Sequence, residues 1–327
     1  MSLLILRAGE IRQLLTMPDC IEVMDRAMRA ASAGIVDMPP RIVARLGDGP
    51  DHFFLMPGVM QEPPAYGAKL ISMLPGNPDS GRPAIQGFVT LFDGETGTAV
   101  AILEGGEITR IRTAATSALA SRELARDSAR THGILGAGLQ AAAHLEAIAC
   151  VRNIDKVIVW ARDFGKASHF AEIHSVKHPY EICAVEDPAE AAACDIVSVV
   201  TNAARPILQG QWLKPGAHLN LVGAHEAETR EADSDAVSSA SIYVDTRKGA
   251  LSKAGDLLVP IRENRIKADD IRGEIGEVLM DAALGRSNEQ QITLFKSLGI
   301  VAQDLYASEY VLRLARNRRV GQMVDFP

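Results

Sequence analysis

The chain has 327 residues, 47% of them apolar and 23% charged, and a formal charge of −7. That length exceeds one ordinary core and points to two domains, while the apolar fraction excludes a disordered or fibrous chain and the acidic balance gives no general attraction for nucleic acid. No stretch approaches the ~18 uninterrupted apolar residues of a membrane span, and the 4 cysteines are widely spaced without a CxxC pair, so reduced, mostly buried thiols are expected rather than a zinc site or a disulfide framework.

The opening MSLLILRAGEIRQLL lacks the basic leader, long apolar region and cleavage site of an exported protein, so a cytoplasmic location is expected. In PDCIEVMDRAMRAASA, residues 18–33, Ile21, Met24, Ala27 and Met28 share one helical stripe, and Pro39–Pro40 mark a change to extended chain. From 41 to 103 come short β-rich runs, RIVARL, HFFLMPGV, AYGAKLISML, IQGFVTLFD and TAVAILE, separated by Gly, Pro, Asn and Asp. They predict an antiparallel sheet. EITRIRTAATSALASRELA then reads as a helix joining two domains.

From residue 131 the pattern changes to short apolar strands alternating with helices: HGIL, KVIVW, YEICA, DIVSVV, AHLNLVG and SIYVD. Such alternation predicts a parallel sheet with helices on both faces. TLFKSLGIVAQDLYASEYVLRLARNRR, residues 293–319, reads as one long amphipathic segment, and its basic RLARNRR as a solvated helix end.

Within this second half, Gly136, Gly138 and Ala141 fit the GxGxxG/A pattern between the strand HGIL and the helix QAAAHLEAI. The first glycine permits the tight turn, the second lets the backbone approach a pyrophosphate, and the small third residue lets helix pack on strand. The expected fold class is therefore α/β, a Rossmann-type parallel sheet domain beside an α+β domain. Leu139 and Gln140, at the start of the helix, join the expected cofactor contacts. After the second strand comes Arg162, suited to a 2′-phosphate, so NADP(H) is preferred, with NAD(H) possible because Asp163 could reach a ribose. His174 and His178 stand at i and i+4, but no third ligand is near and Pro179 ends the segment, so surface residues and no metal are expected.

In the front half the cations stand out. Arg41 and Lys69 lie on expected strands beside apolar neighbours, and Arg112 lies on the joining helix. A basic residue at a half-buried position needs an anion, and three converging would suit a substrate carboxylate.

YGAKLIS, ITRIRTAATSALA, GILGAGLQA, LKPGAHLNLVGA, YVDTRKGALSKAGDL, GEIGEV and FKSLG follow one another in the order and spacing of the ornithine cyclodeaminase/mu-crystallin family, which the chain resembles over nearly its whole length. The resemblance implies a discontinuous substrate-binding and dimerisation domain, residues 1–112 with 306–327, and a dinucleotide-binding domain, residues 113–305. It further implies a homodimer, places Arg41, Lys69 and Arg112 at the substrate carboxylate, with Lys69 also a candidate for catalysis, and sets Thr113 by the cofactor phosphates. Thr201 and Val222 complete the expected cofactor contacts. His52 and Glu277 could border the substrate, without an assigned role.

One departure is informative. In NLVGAHEAETRE the residue after VGA is His225, where a cyclodeaminase of the family carries an aspartate that acts on the substrate amine. A His is suited instead to giving a proton to a nitrogen at neutral pH. The family's reductases of Δ1-pyrroline-2-carboxylate and Δ1-piperideine-2-carboxylate are most similar at this loop, so the expected function is NAD(P)H-dependent reduction of cyclic imino acids to proline or pipecolate, with His225 and Lys69 as the catalytic candidates. Ornithine cyclodeamination, an alanine-type dehydrogenase and a mu-crystallin-like binding protein stay open as alternatives.

Overall fold

The computed structural model describes residues 2–49 and 51–325. They form two compact units, one running to Arg112 and resuming at Ile300, the other spanning Thr113–Gly299. In chain order the elements are β1 (Ser2–Leu6), α1 (Ala8–Leu14), α2 (Met17–Ser32), β2 (Val36–Asp37), β3 (Ile42–Arg45), β4 (His52–Gln61), β5 (Pro64–Met73), β6 (Ile85–Asp93), β7 (Ala99–Glu104) and α3 (Gly105–Leu124). The second unit continues with β8 (Thr131–Leu135), α4 (Leu139–Val151), β9 (Lys156–Trp160), α5 (Phe164–Ser175), β10 (Glu181–Val185), α6 (Pro188–Ala192), β11 (Ile196–Val199), β12 (His218–Leu221) and α7 (Ser234–Ser238). It is completed by β13 (Ala240–Val244), α8 (Arg247–Lys253), α9 (Gly255–Arg262), β14 (Ile271–Glu274), α10 (Ile275–Met280) and β15 (Ile292–Lys296), after which α11 (Val301–Arg318) and β16 (Gln322–Asp325) return to the first unit.

The first unit is built on a sheet of order β16-β1-β7-β6-β5-β4-β2, with β3 paired to β4. From β2 to β7 the pairing is antiparallel, as the alternating runs predict. Two strands, the edge strand β16 and its neighbour β1, were not legible in the sequence: each is short, and each is recognisable only by what it pairs with. Alternation along β4 and β5 puts Phe54, Met56, Lys69 and Ile71 on one buried face. Helix α11 covers that face, its Val301 and Leu305 lying where a Cβ on Gly58 would sit. Helix α2 packs on α11 with Ile21, Met24, Ala27 and Met28 buried as their spacing predicts.

In the second unit every pairing is parallel, in the order β10-β9-β8-β11-β12-β15-β13-β14. The order reverses between β8 and β11. Ligands of such sheets bind outside the carboxyl ends of the strands at this reversal.

Three expectations need correction. Residues 293–319 are not one segment: the first part is β15, buried between β12 and β13, and the left-handed Gly299 (φ 77°) separates it from α11. A short buried strand and a buried helix turn have the same apolar run, so periodicity cannot separate them. The chain accordingly re-enters the first unit at Ile300, earlier than the expected 306, because α11 packs there along its whole length. The thiols are free, but only Cys20 and Cys194 are buried; Cys150 is exposed and Cys183 half-buried. Among the described residues no helix is long and apolar enough to cross a membrane.

His132, His144 and His218 are fully buried in the second unit, hydrogen-bonded to Ser198 (3.0 Å), to Ser117 and the Gln140 carbonyl (2.9 and 2.8 Å), and to Thr293 (2.9 Å) respectively. Burial pushes them down to about 3, about 4 and about 3. Their folded values lie below the unfolded value, so the stability they carry is complete above about 6.5 and is lost as pH falls towards the folded values. Between pH 7 and 5 each costs about 2 kcal/mol. Glu231, whose carboxyl burial pushes up to about 7, takes up its proton in the folded state first and offsets about one of them. Urea unfolding is therefore expected to give a stability about 4 kcal/mol lower at pH 5 than at pH 7; equal stabilities would show these histidines to be hydrated.

Candidate active site

In the first unit the buried sheet face carries a compact ionic set. Lys69 on β5 is 1% exposed, Arg112 on α3 is 5% exposed, and between them Asp304 on α11 is wholly buried. Lys69 Nζ donates to Asp304 Oδ1 at 2.9 Å and Arg112 Nε to the same oxygen at 3.1 Å, while Arg112 Nη1 donates to Gln303 Oε1 at 2.5 Å. Burial pushes the Lys69 ammonium down to about 8, Asp304 opposing the fall and Arg112 adding to it. Both cations thus contact the same Asp304 oxygen. Glu104, a weaker neighbour of Lys69, is engaged at the start of α3 with the amides of Gly106 and Glu107.

Arg41 is placed over the ring of Phe54, its Cζ 5.3 Å from the centroid, and the His52 ring stacks on the same residue at 5.6 Å. Phe54 is one same-face step along β4 from Met56, the register partner of Lys69. The structure therefore joins Lys69 to Arg112 through Asp304 and seats Arg41 on the same sheet face. Asp304 and Gln303 were missed in the sequence. Their signal is a polar pair inside the apolar run IVAQDLYA, which amphipathic spacing alone reads as a surface turn.

In the second unit the glycine turn lies between β8 and α4 as its pattern predicts. Gly136 has φ 130°, a conformation L side chains rarely adopt, and a Cβ there would press on the Val200 carbonyl at the end of β11. Gly138 is the N-cap of α4 with no side chain to occupy the helix start, and the space around it is open. Ala141 is fully buried. Free amides at a helix start beside open space fit a pyrophosphate. Leu139 is exposed at the mouth of the turn, and Gln140 Oε1 is buried without a partner among the described residues. Val222 N pairs back to the Val199 carbonyl, placing it at the end of β12. Thr113 begins an α3 stripe continued by Ser117, which meets His144 of α4, and Ser121, which meets Asn220 of β12. At the end of β9, Asp163 is occupied as the N-cap of α5, leaving Arg162 exposed and, among the described residues, without an ion-pair partner.

His225 follows β12 and is half-buried. Its Nδ1 contacts the Gly223 carbonyl oxygen at 3.0 Å. That oxygen can only accept, so Nδ1 carries hydrogen and Nε2 is the nitrogen that takes up or releases a proton. His174 and His178 belong to a row of rings running from Phe170 to Tyr180, tilted between Phe170 and His174 and stacked beyond it.

Known proteins share this fold. The sequence model of the ornithine cyclodeaminase/mu-crystallin family matches residues 1–318. A Delta(1)-pyrroline-2-carboxylate reductase of Bacillus cereus is 35% identical over 326 residues, 99% of this chain and 100% of that one. The Thermococcus litoralis Delta(1)-pyrroline-2-carboxylate reductase, solved in complex with NADH and L-proline, superposes with a TM-score of 0.94 at 34% identity, covering 98% of this chain and 99% of that one. An archaeal alanine dehydrogenase dimer with bound NAD superposes with a TM-score of 0.93 at 28% identity over the full length of both chains.

Proposed function

We propose a function from one premise: the chain belongs to the ornithine cyclodeaminase/mu-crystallin family. It is an NAD(P)H-dependent reductase of cyclic imino acids, acting on the C=N bond of Δ1-pyrroline-2-carboxylate to give L-proline and of Δ1-piperideine-2-carboxylate to give L-pipecolate. The observation that carries the reading is the pairing of Lys69 and Arg112 with one shared acid. The two are buried cations held in one place by that acid, and the carboxylate of an imino acid is the kind of anion that such a pair recognises. Arg41, a guanidinium able to pair bidentately, is the third anchor.

When bound, reduced nicotinamide would supply the hydride that the imine carbon accepts. The amides of Gly138, Leu139 and Gln140 at the start of α4 would hold its pyrophosphate beside Thr113, and Thr201 and Val222 would make further cofactor contacts. His225 Nε2 keeps the ring nitrogen protonated or donates to it, and an iminium carbon accepts hydride far better than a neutral imine does. Balance requires one hydride and one proton for each imine reduced. Lys69 holds the substrate carboxylate and, with its lowered proton affinity, can replenish protons lost to the product.

Arg162 pairs with a 2′-phosphate, so NADPH is preferred over NADH; the engagement of Asp163 as a helix cap supports this. One experiment tests function and cofactor together: oxidation of NADPH and NADH is followed with cyclic imines, with keto acids plus amines, and with ornithine, in wild type and Arg162→Ala. Cyclic imines are expected to be the best substrates, and Arg162→Ala is expected to lose the NADPH preference by about tenfold, the worth of one charge-assisted phosphate contact. Ornithine converted to proline and ammonia with catalytic NAD would overturn the function, and an unchanged cofactor ratio the role of Arg162.

The protein is a homodimer paired through the front sheet. On the face opposite Lys69, Phe53, Tyr66, Phe88 and Phe92 are between 36 and 48% exposed, and Tyr66 and Phe92 are register partners. An apolar sheet face of this kind needs a cover, and a second copy supplies one, as an isologous interface requires. Light scattering at micromolar concentration is expected to give twice the chain mass for wild type and the single mass for Tyr66→Lys with Phe88→Glu; a monomeric wild type would refute the pairing.

A further inference from the structure

Two loops leave the carboxyl ends of the paired strands β11 and β12, one through Thr201 and the other through Gly223, Ala224 and His225. The fully buried side chain of Glu231 ties them together. Its Oε1 accepts from the Thr201 amide and hydroxyl, both at 2.7 Å, and its Oε2 accepts from the amides of Gly223 at 2.6 Å and Ala224 at 3.1 Å. In the ionised form, which prevails above about pH 7, each oxygen therefore takes two donors, filling the acceptor capacity of a carboxylate.

Behind this clamp lies a second buried layer. The Glu231 and Ala232 amides donate to Asp256 Oδ1 at 2.7 and 3.1 Å. Asp256 is ion-paired with Lys296 at 2.9 Å, and Lys296 Nζ donates to the Ala224 carbonyl at 2.6 Å. Ala224, the residue before His225, is thus gripped at both its amide and its carbonyl. The imidazole is oriented by the Gly223 carbonyl, and the Gly223 amide is itself held by Glu231. The fit is close enough that a Cβ on Gly223 would run into the Thr201 carbonyl and Glu231 Oε1.

We infer that Glu231 is a positioning residue, which acts through the amides of Gly223 and Ala224 to aim His225 and through Thr201 to fix the neighbouring strand end in the same frame. The inference rests on the reading of His225 as the group that handles the imine proton. Only an all-acceptor side chain serves both loops. Glutamine offers one oxygen and one NH2, so its NH2 must face amide donors on one side, and aspartate is one methylene too short to reach both.

The test is a double-mutant cycle on the full-length protein with wild type, Glu231→Gln, His225→Gln and the combination. It measures turnover of Δ1-pyrroline-2-carboxylate at saturating reduced cofactor, its pH profile, and amide exchange in the peptide 218–226. Glu231→Gln is expected to lower kcat by about 10- to 100-fold and to alter the alkaline limb of the profile, but to cost less than about threefold further once His225 is Gln, because coupled residues are not additive. Exchange at Gly223 and Ala224 should quicken. Multiplicative losses, or wild-type turnover with unchanged exchange in Glu231→Gln, would overturn the positioning role while leaving His225 standing. Wild-type turnover in His225→Gln would overturn the reading of His225 and the inference with it. If Glu231→Gln does not fold, Glu231→Asp, which keeps the charge and reaches one loop only, carries the same cycle with the same criteria.

Discussion

His225→Gln is expected to lower turnover of Δ1-pyrroline-2-carboxylate by about 10²-fold or more while leaving reduced dinucleotide affinity close to wild type. Glutamine can still donate to the Gly223 carbonyl that receives His225 Nδ1–H, so the loop keeps its anchor while the ring nitrogen that exchanges a proton is lost. The pH profile separates this from a structural effect. In wild type, activity falls on the alkaline side as Nε2 gives up its proton; in the variant only the dependence set by protonation of the imine itself is left. Near-complete turnover with an unaltered profile would make His225 a structural residue.

Asp304→Ala is expected to destabilise the protein by about 3–5 kcal/mol, the cost of leaving buried charge without its partner. Lys69 and Arg112 both donate to one Asp304 oxygen from positions almost closed to solvent, and water cannot replace that acceptor. The sign of the pH dependence is specific. Even with Asp304 present, burial lowers Lys69 to about 8, below its unfolded value of about 10.4. Between those values the unfolded chain binds the proton first, so stability rises with pH through that window and is lost as pH falls through it. Without Asp304 the folded value drops further, and the window in which stability climbs with pH extends down into neutral solution. Lys69→Met in the Asp304→Ala background should regain part of the loss, since it removes the buried ammonium that has lost its acceptor. Chemical denaturation between pH 6 and 10, conditions chosen to bracket the shifted titration, checks both statements. A variant as stable as wild type would mean that the ionic set is hydrated.

The two expected results sit on opposite sides of what could be read before folding. His225 is legible because it follows a recognisable strand end, and the glycine turn is legible because Gly136 and Gly138 meet a purely local demand: a left-handed turn and an uncapped helix start. Alternation of period two carries the front sheet from β4 to β7, and the strand and helix alternation carries the parallel sheet, since each depends only on which side of its own backbone a side chain faces. Lys69 and Arg112 stand out as cations among apolar neighbours. Their partner does not: Asp304 is 235 residues from Lys69 in the chain, and nothing in the IVAQDLYA run says which cation it will meet. Glu231 is equally silent, an acid in a polar loop until β11 and β12 come side by side and present four donors to its two oxygens. The same holds for β15, whose apolar run suits strand or helix until β12 and β13 offer it edges on both sides. Turns and periodicities arise from short-range sterics and are therefore written in the local sequence, whereas the pairing of buried charges and the choice between strand and helix arise from low-dielectric contacts that exist only once distant segments have been brought together.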